Sequence, residues 1–278
     1  MIKAWWKLFR AEHALMVFAA IVLTQVLVAK TLAIDFVLAA LGPAFVTLAA
    51  FSFNDYAGFK SDSALKRIER PIVAGLIKRS TALYASLFLF TAGCALAFLF
   101  APFYGFLITL AFAFLSIAYD VFLKKMPLVG NLYIATAMSA SYYYGNIVVS
   151  PELNYFVLVF IGMSFFSGVG RELIITLRDV EGDKKAGAVT LPMVIGARKT
   201  VFLAAVFIYL AVVASVLPLL KSFYLPYLLL VGASDALWLG STTLLFLKTT
   251  DRVLKKVRDY SLCALILGLV AYASLVFA

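Results

Sequence analysis

The sequence has little of the material from which soluble enzymes and zinc proteins build their sites. Its 278 residues include only two cysteines and one histidine. Cys94 and Cys263 lie apart in separate apolar runs, which excludes a disulfide framework and a Cys/His metal site. Charged residues make up only 14% of the chain, whereas soluble domains have about 25%. These shortages exclude an ordinary soluble protein.

What the sequence does have is long apolar runs, because 64% of its residues are hydrophobic. A helix that crosses a bilayer needs about 20 mostly apolar residues, and runs of that kind recur along the whole chain. We therefore predict an all-α, polytopic membrane protein, a bundle of nine transmembrane helices that forms a single domain over 1–278. The predicted spans are 11–29, 33–57, 80–100, 103–123, 128–149, 154–177, 197–219, 223–247 and 259–277.

The charges of the connecting segments predict an orientation. If the N-terminus is cytoplasmic, the inside segments are 1–10, 58–79, 124–127, 178–196 and 248–258, and 22 of the 24 basic residues lie on or beside that side. Only Lys30 and Lys221 lie outside. The positive-inside rule then favours a cytoplasmic N-terminus and an outside C-terminus. The net charge of +10 follows from this bias, so we expect no nucleic acid partner.

Carboxylates collect where the second and sixth predicted spans end. Asp55 and Asp62 are seven residues apart, about two helical turns, so they share one helix face. Asp179 and Asp183 are four apart and also share a face. Mg²⁺ prefers oxygen ligands and commonly bridges one or two carboxylates to substrate phosphates. Lys66, Arg67, Arg70, Lys124, Arg171 and Lys184 are the nearby cations for such phosphates.

Two interpretations of these clusters remain open at this point. The carboxylates either pair with loop cations in water, which contributes little, or form one cation site. The second is favoured because both clusters directly follow a span and can be superposed. Positions 55, 58 and 62 then match positions 176, 179 and 183.

The chain resembles the UbiA superfamily of intramembrane prenyltransferases over essentially its whole length. That family has nine transmembrane helices and two aspartate-rich motifs, Asn-Asp-x-x-Asp-x-x-x-Asp and Asp-x-x-Asp-x-x-x-Asp, on its second and sixth helices. Here the motifs have Gly58 and Thr176 in place of one aspartate each. The other matching residues are Arg70-Pro71-Ile72 with Gly75, Tyr119 with Leu123-Lys124, Gly170-Arg171-Glu172, Glu181-Gly182-Asp183 and Thr190-Leu191-Pro192.

The resemblance implies that a prenyl diphosphate binds through Mg²⁺ to both motifs, with its tail among the apolar helices. Asp55, Asp62, Asp179 and Asp183 become metal or metal-water ligands, and Lys124 and Arg171 stabilise the departing diphosphate. The resemblance also gives substrate-binding candidates, namely Asn54, Arg67, Arg70, Tyr119 and His13, of which His13 would line the acceptor pocket or lie at the membrane interface. Asp120, where the family usually has serine, is expected to pair with Lys124 or Lys125 or to face the headgroups.

The acceptor is a separate question. The opening segment 10–13 and the stretch from Asn54 to Ile72 resemble the archaeal ether-lipid branch, which alkylates a hydroxyl of geranylgeranylglyceryl phosphate. Within the same reaction class, the alternative is an aromatic acceptor such as a quinone precursor. From another class, the alternative is a cation-dependent transporter among the membrane lipids. The intramembrane Asp235 implies a partner or a hydrated cavity wall.

Overall fold

The computed structural model describes residues 1–185 and 187–278, and within them every regular element is helical. Position 186, which belongs to the predicted inside segment 178–196, lies outside the described residues. The helices are α1 Ile2–Phe9, α2 Ala11–Ala29, α3 Ile34–Ala64, α4 Arg79–Phe100, α5 Phe103–Val121, α6 Val129–Val149, α7 Tyr155–Lys185, α8 Leu191–Ile195, α9 Ala197–Ala214, α10 Leu217–Lys221, α11 Leu225–Leu247 and α12 Asp251–Ser274.

In the part of the chain that the structure describes, nine long helices correspond one to one with the nine predicted spans. Eight of these nine are long and apolar enough to cross a membrane, counted over the described residues. The ninth, α6, has 21 residues, but Asn131, Asn146 and three consecutive tyrosines make it less apolar. The predicted all-α, polytopic membrane fold is confirmed.

Helices α3 and α7 extend beyond the predicted ends of their spans. Each has 31 residues, which is about 46 Å of helix at 1.5 Å per residue, whereas the hydrocarbon core is about 30 Å thick. Apolar runs predict only the part inside lipid, at 33–57 and 154–177. The additional turns carry Asp62, Asp179 and Asp183, whereas Asp55 lies in the last turn of the predicted span.

The chain forms two compact units, and the first consists of Met1–Lys124 with Tyr144–Glu152. Within it α3 packs against α2, α4 and α5. The α3 and α4 backbones touch at two glycines, since a Cβ on Gly93 would lie 2.7 Å from the carbonyl oxygen of Gly42. Such close approach through small residues is typical of helix packing in membranes, and it fixes α3 in this unit.

The short helix α1 was not predicted from the sequence. Two of its residues four apart, Ala4 and Leu8, are buried and pack in one cluster with Ile72 and Ile77 of the segment after α3. Eight residues are too few to form a stable helix alone. The helix is therefore stabilised by this packing, and it brings the residue that follows it, Arg10, against α3.

The second unit consists of Lys125–Tyr143 with Leu153–Ala278. Within it α7 packs against α9 and α12, and α11 packs against α12. A Cβ on Gly170 would lie 2.6 Å from a side-chain carbon of Ile208 and 2.9 Å from the carbonyl oxygen of Ala204. The fit of α9 against this glycine holds the part of α7 that leads to its acidic end.

The intramembrane carboxylate of this unit has a polar partner. Asp235 Oδ2 accepts a hydrogen bond from Ser215 Oγ at 2.7 Å, and the Tyr227 hydroxyl donates to the Ser215 carbonyl at 2.9 Å. A carboxylate within a span is costly unless it is partnered. Asp235 thus joins α11 to the end of α9, which is a structural role.

Candidate active site

Two carboxylates of the first unit lie on the C-terminal part of α3 and share one arginine. Asp55 is 2% and Asp62 is 8% exposed. Arg70 Nη1 donates to Asp55 Oδ1 at 2.7 Å, and its Nε lies 3.8 Å from Asp62 Oδ2. Arg67 Nη1 donates to Asp62 Oδ1 at 3.3 Å. The shared face predicted from the seven-residue spacing is confirmed.

Arg10 is a further cation at Asp55 that the sequence interpretation did not include. It lies between α1 and α2 with a left-handed backbone, φ 42°, and its Nη2 is 3.7 Å from Asp55 Oδ1. Its guanidinium carbon lies 4.6 Å from the centre of the Phe51 ring. Burial, assisted by repulsion from Arg70, lowers the pKa of Arg10 to about 10, so it stays charged at neutral pH.

His13 contacts the same Phe51 ring. The His13 and Phe51 ring centroids are 5.3 Å apart in an edge-on arrangement, and His13 Nδ1 is 3.7 Å from Glu12 Oε1. Since Phe51 is one turn before Asp55 on α3, His13 and Arg10 both lie next to the carboxylates. The structure therefore brings this predicted substrate-binding residue to the edge of the cluster.

One oxygen of Asp55 is suited to a cation. Asp55 Oδ2 is buried and has no hydrogen-bond partner among the described residues, and an unsatisfied buried carboxylate oxygen is costly. The described residues contain no group of three or more His, Cys, Asp or Glu side chains that would hold a metal by themselves. The unpartnered oxygen of Asp55 beside an arginine that can bind phosphate fits Mg²⁺, which keeps several waters and uses one or two carboxylates with substrate phosphates.

Asn54 and Lys124 meet at a third carboxylate, Asp120 of α5. Asp120 is 5% exposed, its Oδ1 accepts a hydrogen bond from Asn54 Nδ2, and Lys124 Nζ donates to the same oxygen at 3.1 Å. The expected pairing of Asp120 with Lys124 is confirmed. The preceding Tyr119 is half-buried and close enough to influence Arg10 electrostatically.

The second unit carries its own acidic helix end on α7. Both oxygens of Asp179 accept hydrogen bonds from the guanidinium of Arg178, each at 2.9 Å. Asp183 lies one turn further and is partly exposed. At the position of the missing aspartate, Thr176 Oγ1 accepts a hydrogen bond from Asn131 Nδ2 of α6 at 2.8 Å. Asn131 is thus a polar neighbour that sequence reasoning missed.

Arg171 is closer to the N-terminal end of α7 than these carboxylates are. Its Nη1 is 3.5 Å from Glu172 Oε1, while its buried Nε has no hydrogen-bond partner among the described residues. The buried Thr190 hydroxyl before α8 is in the same situation. A buried polar group without a partner is rare in folded proteins, so these two groups are candidates for a contact with a ligand.

The two acidic helices are alike in length as well as in motif. Because α3 begins at Ile34 and α7 at Tyr155, Asp62 and Asp183 are each the twenty-ninth residue of a 31-residue helix. Positions 55, 58 and 62 therefore match positions 176, 179 and 183 in their place along each helix, as well as in the sequence motif.

The sequence model of the UbiA prenyltransferase family matches residues 14–273 of this chain. The chain belongs to the UbiA prenyltransferase family. Digeranylgeranylglyceryl phosphate synthase of Archaeoglobus fulgidus is 31% identical to it, over 98% of this chain and 94% of the relative. The enzyme of that name from Methanosphaera stadtmanae is 28% identical, over 96% and 97% of the two chains.

Solved structures of UbiA proteins share this fold. A structure of digeranylgeranylglyceryl phosphate synthase has a TM-score of 0.76 at 24% identity, covering 99% of this chain and 98% of the other. A UbiA homolog from Aeropyrum pernix has a TM-score of 0.78 at 15% identity, covering 94% and 96%. A UbiA homolog from Archaeoglobus fulgidus bound to GPP and Mg²⁺ has a TM-score of 0.71 at 17% identity, covering 97% and 99%.

This UbiA chain departs from the family pattern at Gly58 and Thr176, and the structure shows what lies beside each. A Cβ on Gly58 would be 3.5 Å from Asp62 Oδ2, so the missing carboxylate belongs next to Asp62. Thr176 has Asn131 as its neighbour. A signal for Asn131 was available in the sequence, because a polar amide inside an apolar helix needs a partner.

Proposed function

We propose that the chain is a Mg²⁺-dependent prenyltransferase that moves a geranylgeranyl group from geranylgeranyl diphosphate to geranylgeranylglyceryl phosphate. The bond between C1 of the prenyl group and the diphosphate oxygen breaks, and an ether bond forms between C1 and the acceptor oxygen. The acceptor hydroxyl loses its proton, and pyrophosphate leaves. The named relatives and the homolog bound to GPP and Mg²⁺ support this reaction class.

The observation that carries the proposal is the cluster on α3. Asp55 offers a buried oxygen without a partner, next to Arg70, which reaches two carboxylates. Carboxylate oxygens suit the cation, and arginine suits the phosphate oxygens. A site that held only a cation would not need these guanidinium groups. A site that held only an anion would not need the carboxylates.

Each predicted residue then receives a role. Asp55, Asp62, Asp179 and Asp183 would hold the magnesium ions, which would neutralise charge on the departing pyrophosphate. Lys124 and Arg171 would stabilise the same charge. Arg67, Arg70 and Asn54 would bind the diphosphate, and Tyr119 and His13 would lie on the substrate side. We propose that both units serve this single reaction as one domain over 1–278.

The apolar helices have a chemical task beyond holding the prenyl tail. Carbon–oxygen cleavage at an allylic C1 leaves positive charge on the carbon, and water would capture it. A site within the membrane excludes bulk water and strengthens the charge interactions that remain. We propose that the site opens on the cytoplasmic face, with the N-terminus on that side.

The proposal is tested on the purified full chain with geranylgeranyl diphosphate, Mg²⁺ and one acceptor at a time. We expect pyrophosphate release and an ether product with geranylgeranylglyceryl phosphate, and loss of both when EDTA removes the cation. Alkylation of a quinone precursor alone would replace the proposed acceptor with an aromatic one. No pyrophosphate release with any acceptor, together with cation-driven substrate movement in vesicles, would establish a transporter.

A further inference from the structure

The candidate site of the first unit has three carboxylates, Asp55, Asp62 and Asp120, and of these Asp120 lies outside the aspartate-rich motif. It comes from α5, it is 5% exposed, and it contacts a motif residue of α3 and a cation beyond its own helix. Burying a charged group costs free energy unless the group is paired and hydrogen-bonded. Removing one member of such a group leaves the others uncompensated. The contacts of Asp120 therefore restrict the side-chain positions of Asn54 and Lys124.

The contact with Asn54 determines which end of that side chain remains for a ligand. An ionised carboxylate only accepts hydrogen bonds, so the Asn54 amide must present its NH₂ group to Asp120. The carbonyl oxygen then lies on the other branch of the amide. Side-chain carbonyl oxygens are ligands for hard cations, and Asn54 directly precedes Asp55, whose Oδ2 has no partner among the described residues.

The same carboxylate oxygen holds the Lys124 ammonium group, 3.1 Å away. An ammonium group has three donors, and the contact with Asp120 uses one of them. A lysine held at its tip loses less conformational freedom when it meets a phosphate. Asp120 thus fixes two side chains. Asn54 can offer its amide oxygen to a cation, and Lys124 can offer its remaining N–H groups to an anion.

Asp120 also adds negative charge to a site whose α3 motif lacks one carboxylate, and it does so next to Asn54. A carboxylate at position 58 would lie beside Asp62, because a Cβ there would be 3.5 Å from Asp62 Oδ2. This chain has Gly58 instead, and it has aspartate at 120, within electrostatic range of Asp55. Divalent cations require negative charge near them, whichever helix provides it.

We propose that Asp120 is a positioning residue of the active site. It holds Asn54 with the amide oxygen available to the cation, holds Lys124 for the diphosphate, and replaces the charge that is absent at position 58. This proposal rests on the proposed function. It goes beyond the aspartate-rich motifs because it assigns part of the cation site to α5.

The first experiment asks whether Asp120 acts through Asn54. Mn²⁺ binding to the purified full chain is measured by electron paramagnetic resonance for the wild type, Asp120→Ser, Asn54→Ala and the double variant. Outer partners of metal ligands typically contribute about 10–100-fold to metal affinity. We expect a weakening of that size for Asp120→Ser alone, and a smaller loss for the same change in the Asn54→Ala background, where only the contribution of the charge remains. Equal losses in both backgrounds would overturn the positioning role.

The second experiment tests the charge replacement by placing a carboxylate at position 58 instead of position 120. Gly58→Asp in the Asp120→Ser background should recover at least about 10-fold of the lost Mn²⁺ affinity and lower the Mg²⁺ concentration needed for half-maximal turnover. No recovery would overturn the charge replacement. If Asp120→Ser fails to fold, Asp120→Asn keeps an acceptor for Asn54 but removes the charge. Unchanged Mn²⁺ affinity in that variant would refute the charge replacement.

Two controls separate this proposal from the proposed function. Asp235→Ser makes the same change within another span, and it should leave Mn²⁺ affinity unchanged whatever it does to the melting temperature. Asp62→Ala removes a motif carboxylate. If Asp62→Ala abolishes Mn²⁺ binding while Asp120→Ser does not alter it, only the role of Asp120 fails. If Asp62→Ala also binds Mn²⁺ normally, the metal site of the proposed function fails.

Discussion

Asp62 and Asp183 occupy equivalent places near the ends of two helices of equal length. Neither lies in the middle of a span, so neither is needed for the helices to cross the membrane. We expect Asp62→Ala and Asp183→Ala each to lower turnover on the order of 10²–10³-fold, the cost of losing one charge-stabilising group at a reacting centre. Initial rates of pyrophosphate release at saturating Mg²⁺ measure this.

The melting temperature in detergent shows whether these losses are specific. We expect both variants to remain folded, with only a small change in melting temperature for the partly exposed Asp183 and a larger decrease for Asp62→Ala, which leaves Arg67 without its carboxylate partner. Asp259→Ala is the matched control, since Asp259 is 62% exposed in its side chain and pairs with Arg258. It should keep full activity. Near-normal turnover in both Asp62→Ala and Asp183→Ala would contradict the metal assignment.

Among the elements, α3 and α4 depend on a backbone contact that a side chain would break. A Cβ on Gly93 would lie 2.7 Å from the Gly42 carbonyl oxygen and 3.0 Å from a Val46 methyl carbon. Gly93→Leu must therefore push the helices apart, at a cost of about 1–3 kcal/mol. Thermal unfolding in detergent should show a lower melting temperature. Turnover should fall too, because α3 carries Asp55.

The control for that prediction is a glycine with space around it. A Cβ on Gly232 of α11 would meet no atom within 4 Å, and Gly232 is exposed. Gly232→Leu should leave the melting temperature unchanged or raise it, because leucine has a higher helix propensity than glycine. Equal destabilisation by both substitutions would show that added volume in any span, rather than the contact with Gly42, lowers stability.

The sequence predicted the elements better than the contacts between them. The seven-residue spacing placed Asp55 and Asp62 on one face of α3, because that depends only on helix geometry. The bridge from both to Arg70 depends on the path of segment 65–78, where Lys66 and Gly75 have left-handed backbones with φ of 52° and 71°. No periodic pattern encodes such a path.

Helix α1 and the contacts of α6 were missed for related reasons. Eight residues give too little periodicity to detect, and α1 places Arg10 at Asp55 only by packing on the segment after α3. The pairing of Asn131 with Thr176 joins residues 45 positions apart. The family pattern drew attention to Thr176, but only the packing of α6 on α7 identifies the side chain beside it.

At the scale of the whole molecule, the orientation in the membrane decides which side the carboxylates face. With 22 of the 24 basic residues on or beside one side, insertion with that side in the cytoplasm is favoured. An even number of spans would place both termini on one side. If all nine predicted spans cross the membrane, we expect the C-terminus to lie outside, and a single topology then accounts for the charge bias.

Two exposed serines test this topology by cysteine labelling. The chain has two free cysteines, Cys94 and Cys263, and their replacement with serine gives a background without thiols. Ser222, after α10, and Ser80, at the start of α4, are both exposed. In intact cells, a membrane-impermeant maleimide should label Ser222→Cys and spare Ser80→Cys, and lysis should make both reactive. The opposite pattern would place Asp55 and Asp62 on the outer face, where cytoplasmic prenyl diphosphate could not reach them.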